Sequence, residues 1–312
     1  MTPQRDARFD VRTSEMKHIS VCICTYKRRS FLHRLLNELR EQLTEGLFSY
    51  SVVVVDNDVS QSAEEVVAEF AATSRIASKY CVEPQQNIPL ARNKAIENAS
   101  GDFIAFIDDD EFPTKSWLLT LFKACRQYHA DGVLGPVKRY FDEEPPEWIV
   151  KGSFYQRPTY STGLVIDWKK GRTNNVLLSS QIFSRGESPF RAEFRTGEDQ
   201  DFFRRMIDKG YVFVWCNEAV VYEVVPPTRW KRSFILRRAL LRGAVSPHYE
   251  TFGAPEIAKS LVATPIYAAG LPFAALCGQH RFMILLEKLC EHGGRLLALL
   301  GFNPVKEPYV TD

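Results

Sequence analysis

Three consecutive carboxylates, Asp108, Asp109 and Asp110, follow the apolar run Phe103–Ile107. A short apolar run of this kind predicts a buried strand, with the aspartates at its end. Side chains two residues apart on a strand share a face, so we expect Asp108 and Asp110 to point at one ion while Asp109 turns away. The alternative is a polar strand end that bonds to loop amides. Repulsion among three carboxylates favours a bound divalent cation.

A second acidic group lies in the segment TGEDQD, residues 196–201. Two interpretations apply, and they are compatible. In one, Thr196 caps a helix with Asp199 at its third position, as in a capping box. In the other, Asp199 is a fixed general base that takes the proton from an attacking hydroxyl, with Glu198 beside it.

A third set of polar residues is predicted at the ends of neighbouring strands and at a helix start. Tyr26, which follows Thr25, can stack on a nucleobase, Asp56 can accept from a base N–H, and Arg92 can bind a base or a phosphate. Each has an ordinary alternative, since strand-end aspartates are often turn residues and Arg92 suits a solvated helix face. The turns lack G-x-G-x-x-G and G-x-x-x-x-G-K-[ST], which argues against a Rossmann dehydrogenase and a P-loop NTPase.

The elements that must position these residues alternate between strand and helix. Apolar runs predict strands at 19–24, 51–55, 79–83 and Phe103–Ile107. Ser30 is expected to cap the first helix, which carries Leu43 on its apolar face and ends at Gly46. Four βα units predict a parallel, doubly wound sheet, in which ligands bind beyond the carboxyl ends of the strands. Tyr26, Asp56 and Asp108 are predicted at that edge.

The pattern changes after Gly135. Residues 139–173 are irregular and rich in Pro, Gly and aromatic side chains, which is typical of a long loop. Such a loop suits the wall of an acceptor pocket, and a surface loop with no role in binding is the alternative. Strands are predicted at 175–183 and 211–215, and a helix at 201–209.

Composition sets the broad class. With 312 residues, 45% of them hydrophobic and 25% charged, the chain fits one large domain or one domain with an appendage. The seven cysteines form no CxxC pair, which indicates reduced thiols in a reducing compartment. Residues 1–18 are polar and lack a signal-peptide core, so we expect a flexible lead and no secretion.

The motifs VCICTYKR, VVVVDNDVS, NIPLARNKAIENASGDFIAFIDDDEFP, VLGPV, NNVLL and TGEDQDFFRRM occur in this order. Together they resemble the family 2 glycosyltransferases with the GT-A fold, and among them the glucosyltransferases of bacterial exopolysaccharide assembly. The similarity covers residues 19–227. It implies an α/β fold with a mostly parallel sheet flanked by helices, an inverting reaction and a requirement for Mg²⁺ or Mn²⁺.

The resemblance also implies roles for individual residues. Thr25, Tyr26, Asp56 and Arg92 would hold the nucleotide. Asp108 and Asp110 would form the DxD motif, with Asp110 the direct metal ligand. Asp199 would be the catalytic base, and Glu198 would contact the acceptor or orient its loop.

One position departs from the family pattern. Many relatives carry His-Glu shortly after the base, where the histidine helps to bind metal or diphosphate, whereas this chain has Tyr222-Glu223. Either residue could supply that contact, or water could.

The basic residues concentrate near the C-terminus, in an otherwise apolar stretch from 229 to 242. They are Arg229, Lys231, Arg232, Arg237, Arg238 and Arg242. A surface helix with solvated charges is one interpretation. Two others are that Arg229 neutralises a diphosphate leaving group, and that the basic face meets anionic lipid.

Two apolar segments follow. Residues 260–279 carry no charge but include Pro265 and Pro272, and residues 282–302 are amphipathic. The favoured interpretation is a helical appendage that associates with the membrane, either as a hairpin on the membrane surface or as a re-entrant hairpin. A spanning helix and a soluble helical cap are the alternatives, and the prolines weaken the spanning one.

These observations predict residues 1–18 as a lead, 19–228 as a catalytic domain and 229–312 as a helical region. The expected activity is transfer of a hexose, glucose from UDP-glucose as first choice, to a hydroxyl of a saccharide or lipid-linked saccharide. The expected location is the cytoplasmic face of the cell membrane, with an anionic lipid surface and no nucleic acid as partner. A nucleotidyltransferase would need a Gly-rich loop that CTYKRRS lacks. A non-catalytic RNA- or membrane-binding module would leave the acidic clusters unexplained.

Overall fold

The computed structural model describes residues 16–183, 188–194, 196–248, 252–302 and 304–305. The predicted lead lies outside them except at its end, where the first strand begins. The strands are β1 (Lys17–Thr25), β2 (Phe48–Asp56), β3 (Ser78–Val82), β4 (Phe103–Ile107), β5 (Glu111–Pro113), β6 (Gly132–Leu134), β7 (Val137–Tyr140), β8 (Asn175–Ser179), β9 (Phe213–Trp215) and β10 (Val221–Val224). The α-helices are α1 (Arg29–Leu39), α2 (Glu64–Thr73), α3 (Ile88–Asn98), α4 (Trp117–Tyr128), α5 (Glu147–Lys151), α6 (Glu198–Asp208), α7 (Arg232–Val245), α8 (Ala254–Leu276) and α9 (Gln279–Leu299).

Seven strands form the central sheet, in the order β3-β2-β1-β4-β8-β6-β9. Strand β8 runs antiparallel to β4 and β6, and the other neighbouring pairs are parallel. The prediction of a mostly parallel α/β sheet is therefore confirmed. A smaller sheet, in the order β5-β10-β7, stands beside it.

Helices cover both faces of the central sheet. Along β2, Val52 and Val54 pack into a core with α1, α2 and α4, whereas Val53 and Val55 pack into a second core with α3 and α6. Successive strand residues point to opposite faces, so a strand buried on both faces must be apolar at every position. That requirement explains the continuous β-branched run in the sequence.

The carboxyl ends of the strands meet at one edge, as predicted. Thr25 and Asp56 are partners in the β1–β2 register, and each ends its strand. Asp108 follows the end of β4, which pairs with the other side of β1. Helix α3 starts at the same edge, where the Asn87 side chain accepts a hydrogen bond from the Leu90 N–H at 3.1 Å. This N-cap fixes the first turns of α3.

Helix α1 is shorter than the sequence predicted. It ends at Leu39 instead of continuing to Gly46, and Leu43 is 52% exposed. The Leu43 N–H donates to the Lys115 carbonyl at 2.8 Å, so a long-range backbone contact replaces the next helical turn.

Two predicted strands are also shorter. The predicted strand at 175–183 ends at Ser179, and Ser180–Phe183 form a 3₁₀ helix instead. The predicted strand at 211–215 begins at Phe213, because the Tyr211 N–H donates to the Met206 carbonyl at the end of α6.

The C-terminal helices are stacked in layers. Helix α7 packs on α9, and α9 packs on α8. Ile235 of α7 and Met283 of α9 share a small apolar cluster with Ile149 of α5, which anchors this region to the irregular segment after β7. Helix α8 continues through Pro265 and Pro272, so these prolines do not divide it.

Helices α7 and α9 approach each other at backbone distance. A Cβ added at Gly294 would lie 2.4 Å from the Leu240 carbonyl oxygen, and one at Gly243 would lie 2.0 Å from the Glu291 carbonyl oxygen. Only glycine fits at such a crossing, because both obstacles are backbone atoms.

The neighbouring glycines of α9 provide a matched test of this crossing. A Cβ at Gly293 would have no heavy atom within 4 Å, so Gly293→Ala should stabilise the protein by about 0.5–1 kcal/mol through helix propensity. Gly294→Ala makes the same chemical change at the crossing and should lower the melting temperature. Thermal denaturation of both variants checks this, and equal shifts would contradict a backbone-tight crossing.

Candidate active site

A cavity of about 1180 Å³ opens at the carboxyl edge of the central sheet. It gathers residues from the loop after β1, the turn after β4, α3, the start of α6, and α7. The predicted site residues that line it are Thr25, Tyr26, Arg92, Asp108, Asp110, Glu198, Asp199 and Arg229. Asp56 is not among the lining residues that the structure describes.

The aspartate cluster forms a turn. Strand β4 ends at Ile107, and the Glu111 N–H donates to the Asp108 carbonyl at 3.1 Å. Strand alternation therefore does not apply, and the prediction that Asp109 turns away from Asp108 and Asp110 is wrong. All three line the cavity, with Asp109 and Asp110 buried and the Asp108 side chain 44% exposed.

Asp110 is bound by two arginines. Its Oδ2 accepts from Arg229 Nη2 at 2.7 Å and from Arg28 Nη1 at 3.3 Å. Burial opposes ionisation of this carboxyl, but Arg229 and Arg28 outweigh it and hold the pKa of Asp110 below its usual range. Asp110 is therefore ionised and lies between two guanidinium groups.

Asp109 binds the loop after β1. It accepts from Thr25 Oγ1 at 2.7 Å and from Arg28 Nη1 at 3.1 Å. Burial raises the pKa of Asp109 to about 7, although Arg28 opposes the shift. Thr25 and Arg28 thus connect the end of β1 to the end of β4.

Tyr26 and Lys27 form the rim beside that connection. Both line the cavity, and Lys27 Nζ lies 5.1 Å from the centre of the Tyr26 ring. Lys27 has a φ of 55°, which is uncommon for a residue with a side chain and marks a tight turn after β1.

Asp56 lies behind the cavity wall. It is fully buried, and its carboxylate accepts from the Ala63 N–H at 2.7 Å, the Asp58 N–H at 3.1 Å and the Tyr80 hydroxyl at 2.9 Å. These bonds fix the loop between β2 and α2.

Arg92 and Glu198 form an ion pair inside the cavity wall. Arg92 Nη2 also lies 3.8 Å from Asp108 Oδ1, so this arginine spans from the aspartate turn to the start of α6. Burial raises the pKa of Glu198 to about 7, with Arg92 opposing the shift and Asp199 adding to it.

Asp199 lies in the first turn of α6, half-buried, and lines the cavity. The predicted capping box is wrong, because α6 begins at Glu198 and its N-cap is Gly197, with a φ of 81°. A left-handed residue at this position favours glycine, which has no side chain for capping. The Asp199 carboxylate accepts from the Gln200 N–H at 2.8 Å.

Tyr222 and Glu223, the pair that departs from the family pattern, lie in two different environments. Tyr222 stacks on Phe112 with ring centroids 5.4 Å apart, outside the cavity lining. Glu223 lines the cavity and accepts from Arg157 and, at 3.3 Å, from Arg229 Nη1. Strand alternation in β10 explains the separation.

Residues 20–194 match the sequence profile of a family described as glycosyl transferase family 2. The chain is also 33% identical, over 233 residues, to the succinoglycan biosynthesis protein ExoM of Rhizobium meliloti (strain 1021), and the alignment covers 74% of each chain.

The chain belongs to glycosyl transferase family 2.

Solved structures agree on the fold. The mannosyltransferase PcManGT from Pyrobaculum calidifontis, in complex with GDP-Man and Mn²⁺, superposes with a TM-score of 0.59 at 17% identity, covering 92% of this chain and 87% of that one. S. aureus TarS residues 1–349 in complex with UDP give a TM-score of 0.52 at 17% identity, covering 91% and 92%. Against a longer TarS chain the TM-score is 0.54 at 16% identity, covering 90% of this chain and 55% of that chain.

These similarities confirm the predicted fold class, which is GT-A with a mostly parallel sheet and a C-terminal helical region. Family membership also favours the glycosyltransferase interpretation over the nucleotidyltransferase and the non-catalytic module. The family match ends at residue 194, before Glu198 and Asp199.

Three arginines of this cavity were not predicted as site residues. Arg28 and Arg157 bind the carboxylates of Asp110 and Glu223, and Arg238 lines the cavity from α7. Arg28 directly follows the TYK motif, and that position next to predicted site residues was a signal for its role. Arg157 lies in the loop predicted to shape a pocket, but nothing local marked it among its neighbours.

The raised pKa of Glu198 predicts how the stability of the protein depends on pH. The ordinary pKa of a glutamate is 4.5, whereas that of Glu198 in the folded protein is about 7. The favourable contribution of Glu198 to the free energy of unfolding is therefore present at low pH and lost as the pH rises through 7. The Glu198→Gln variant lacks this loss. Its free energy of unfolding, measured with urea, should therefore rise relative to wild type from about pH 5 to about pH 8.

Glu97→Gln is the matched control, because the Glu97 side chain is 64% exposed. It makes the same chemical change away from the cavity and is measured in parallel. A Glu198→Gln difference from wild type that does not change between about pH 5 and about pH 8 would contradict the raised pKa.

Proposed function

We propose that the chain is an inverting hexosyltransferase. It would transfer glucose from UDP-glucose to a hydroxyl of a saccharide or lipid-linked saccharide during bacterial exopolysaccharide synthesis. The observation that carries the proposal is the joint lining of one cavity by the acidic turn after β4 and by Asp199 at the start of α6. ExoM, at 33% identity, supports the polysaccharide context.

A divalent cation, Mg²⁺ or Mn²⁺, fits the carboxylates of this cavity. No group of three or more His, Cys, Asp or Glu side chains among the described residues could hold a metal by itself. Asp108, half-exposed to the cavity, and Asp110 would therefore supply one or two oxygens, with phosphates and waters completing the shell. Mg²⁺ is commonly held in this way. When bound, such a cation stabilises charge on a leaving diphosphate.

The nucleotide would lie along the loop after β1. Tyr26 offers a ring for stacking on the base, and Thr25 and Arg92 border the same space. Asp56 would act from behind, since its carboxylate already binds the backbone of the following loop. We propose that Asp56 holds this loop in shape for the nucleotide.

The diphosphate would meet a cationic surface. Arg229 and Arg28 both border the aspartate turn, and Lys27 lies at the rim. Guanidinium groups form strong charge-assisted hydrogen bonds with phosphate oxygens, which stabilises the leaving group as negative charge develops on it.

Asp199 would be the catalytic base. It reaches the cavity from the first turn of a helix, so its position is fixed by the backbone, and it could take the proton of the attacking hydroxyl. Glu198 is held by Arg92 and would orient this segment. Attack opposite the leaving group inverts the anomeric configuration, so an α-linked donor would give a β-linked product.

The outer hairpin of α8 and α9 supports a membrane partner. Helix α8 is long and apolar enough, by length and composition, to cross a bilayer, and 11% of its most apolar stretch is buried. Ile266 and Phe273 are 62% and 72% exposed. We propose that α8 contacts the cytoplasmic face of the cell membrane, in a region containing anionic lipid, where a lipid-linked acceptor would be available.

Substitutions at the two carboxylates should separate catalysis from donor binding. Asp199→Asn should lower sugar transfer by about 10²–10⁴-fold, because the base is lost, with little change in affinity for the nucleotide diphosphate. Asp110→Ala should weaken Mn²⁺-dependent binding of the nucleotide as well. Donor hydrolysis and transfer, screened over nucleotide sugars, and calorimetry with UDP measure both effects.

Asp208→Asn provides the control, since Asp208 is an exposed residue at the other end of α6. It should transfer sugar at the wild-type rate. Full transfer activity in Asp199→Asn would refute the assignment of the base, and full activity in Asp110→Ala would refute that of the metal ligand.

The membrane proposal has its own matched pair. Ile266 of α8 and Val165, which lies between α5 and β8, are both β-branched and 62% exposed. Ile266→Ser should weaken co-sedimentation with anionic phospholipid vesicles by about tenfold, because burial of such a side chain contributes about 1.5–3 kcal/mol. Val165→Ser should bind like wild type. Equal binding of all three proteins would refute a docking role for α8.

A further inference from the structure

Helix α7 contributes one face to the cavity. Phe234, Arg238 and Leu241 line it, at spacings of four and three residues that bring side chains to the same side of a helix. The opposite face carries Ile235, Ala239 and Gly243, which are buried. The cavity face of α7 thus presents one cation between two apolar side chains.

Arg238 differs from the other arginines around it. Arg229 binds Asp110 and Glu223, Arg157 binds Glu223, and Arg28 binds Asp109 and Asp110. Arg238 makes no hydrogen bond and no ion pair with any residue in the described part of the chain. The nearby carboxylates already bind its neighbours, so no described carboxylate neutralises the charge of Arg238 by direct contact.

The surroundings of Arg238 disfavour the positive charge on its guanidinium group. Burial lowers its pKa, and the nearby cations Arg229, Arg242 and Arg157 act in the same direction, while Glu223 only partly opposes them. An arginine stays charged under these conditions, because guanidinium does not lose its proton in proteins. An anion entering this part of the cavity would relieve the repulsion and satisfy the guanidinium donors.

We propose that Arg238, with Phe234 and Leu241, forms a subsite for a phosphate-type oxyanion attached to an apolar or sugar group. The guanidinium would bind two oxygens of the anion, and the flanking side chains would contact the attached group. This inference rests on the proposed function for the source of the anion. It is either the diphosphate of the donor nucleotide or a phosphate carried by the acceptor.

Calorimetry on the full chain separates the two sources. In the first arm, UDP and GDP are titrated with Mg²⁺ into wild type and Arg238→Gln. In the second arm, monobutyl phosphate is titrated into protein saturated with the nucleotide, with butanol as the uncharged comparison. A lost charge-assisted pair should weaken binding by roughly tenfold or more in one arm, and that arm identifies the source.

Two further variants make the test specific. Arg238→Lys keeps the charge without the two-pronged geometry and should bind with intermediate affinity. Arg242→Gln removes the same charge from α7 outside the cavity lining, at a side chain 45% exposed, and should bind like wild type. Unchanged affinity in both arms for Arg238→Gln, shown to be folded by its melting temperature, would overturn the subsite. If wild type binds neither nucleotide, the proposed function fails, and the second arm on ligand-free protein still tests the subsite.

Discussion

The pairing of Arg229 with Asp110 holds the cavity together. Its two partners are 119 residues apart in the chain, and both are buried. Arg28 binds the same Asp110 oxygen from the loop after β1, and Glu223 binds the other side of Arg229 from β10. Removing one member of such a buried pair leaves an uncompensated charge, at a cost of about 3–5 kcal/mol. The loop, the aspartate turn and the segment before α7 are therefore fixed by shared charges.

Local sequence pattern was sufficient for the frame of the site. Apolar runs identified β1, β2 and β4, and strand-helix alternation then required Thr25, Asp56 and Asp108 to lie at one edge of a parallel sheet. The pattern failed where the strand ended. Residues 108–110 form a turn, so a period of two no longer predicted which carboxylates share a face. The three carboxylates do repel one another, but nearby guanidinium groups relieve this repulsion. Repulsion alone was therefore weak evidence for a metal ion.

The role of α7 could not be read from its own sequence. Basic residues alternating with apolar ones are typical of a surface helix with solvated charges, whereas α7 packs on α9 through Ile235 and Gly243 and lines the cavity through Arg238. Which face of an amphipathic helix meets which neighbour depends on tertiary contacts, and the Gly243–Glu291 and Gly294–Leu240 approaches that set this crossing link distant segments. The same contacts connect the cavity wall to the outer hairpin, because α9 lies between α7 and α8.

Near neutral pH, the charge of the cavity changes through its carboxyl groups and not through its arginines. Its arginines remain protonated, whereas burial raises the pKa of both Asp109 and Glu198 to about 7, so these carboxyls are partly neutral near neutral pH. The balance near pH 7 is therefore more positive than the residue types alone suggest. An anionic donor is attracted to that balance, yet it also brings negative charge towards Asp110, which stays ionised. The carboxylates of the aspartate turn and the arginines consequently have opposite effects on an anionic ligand, and a divalent cation held by Asp108 and Asp110 would offset the repulsion.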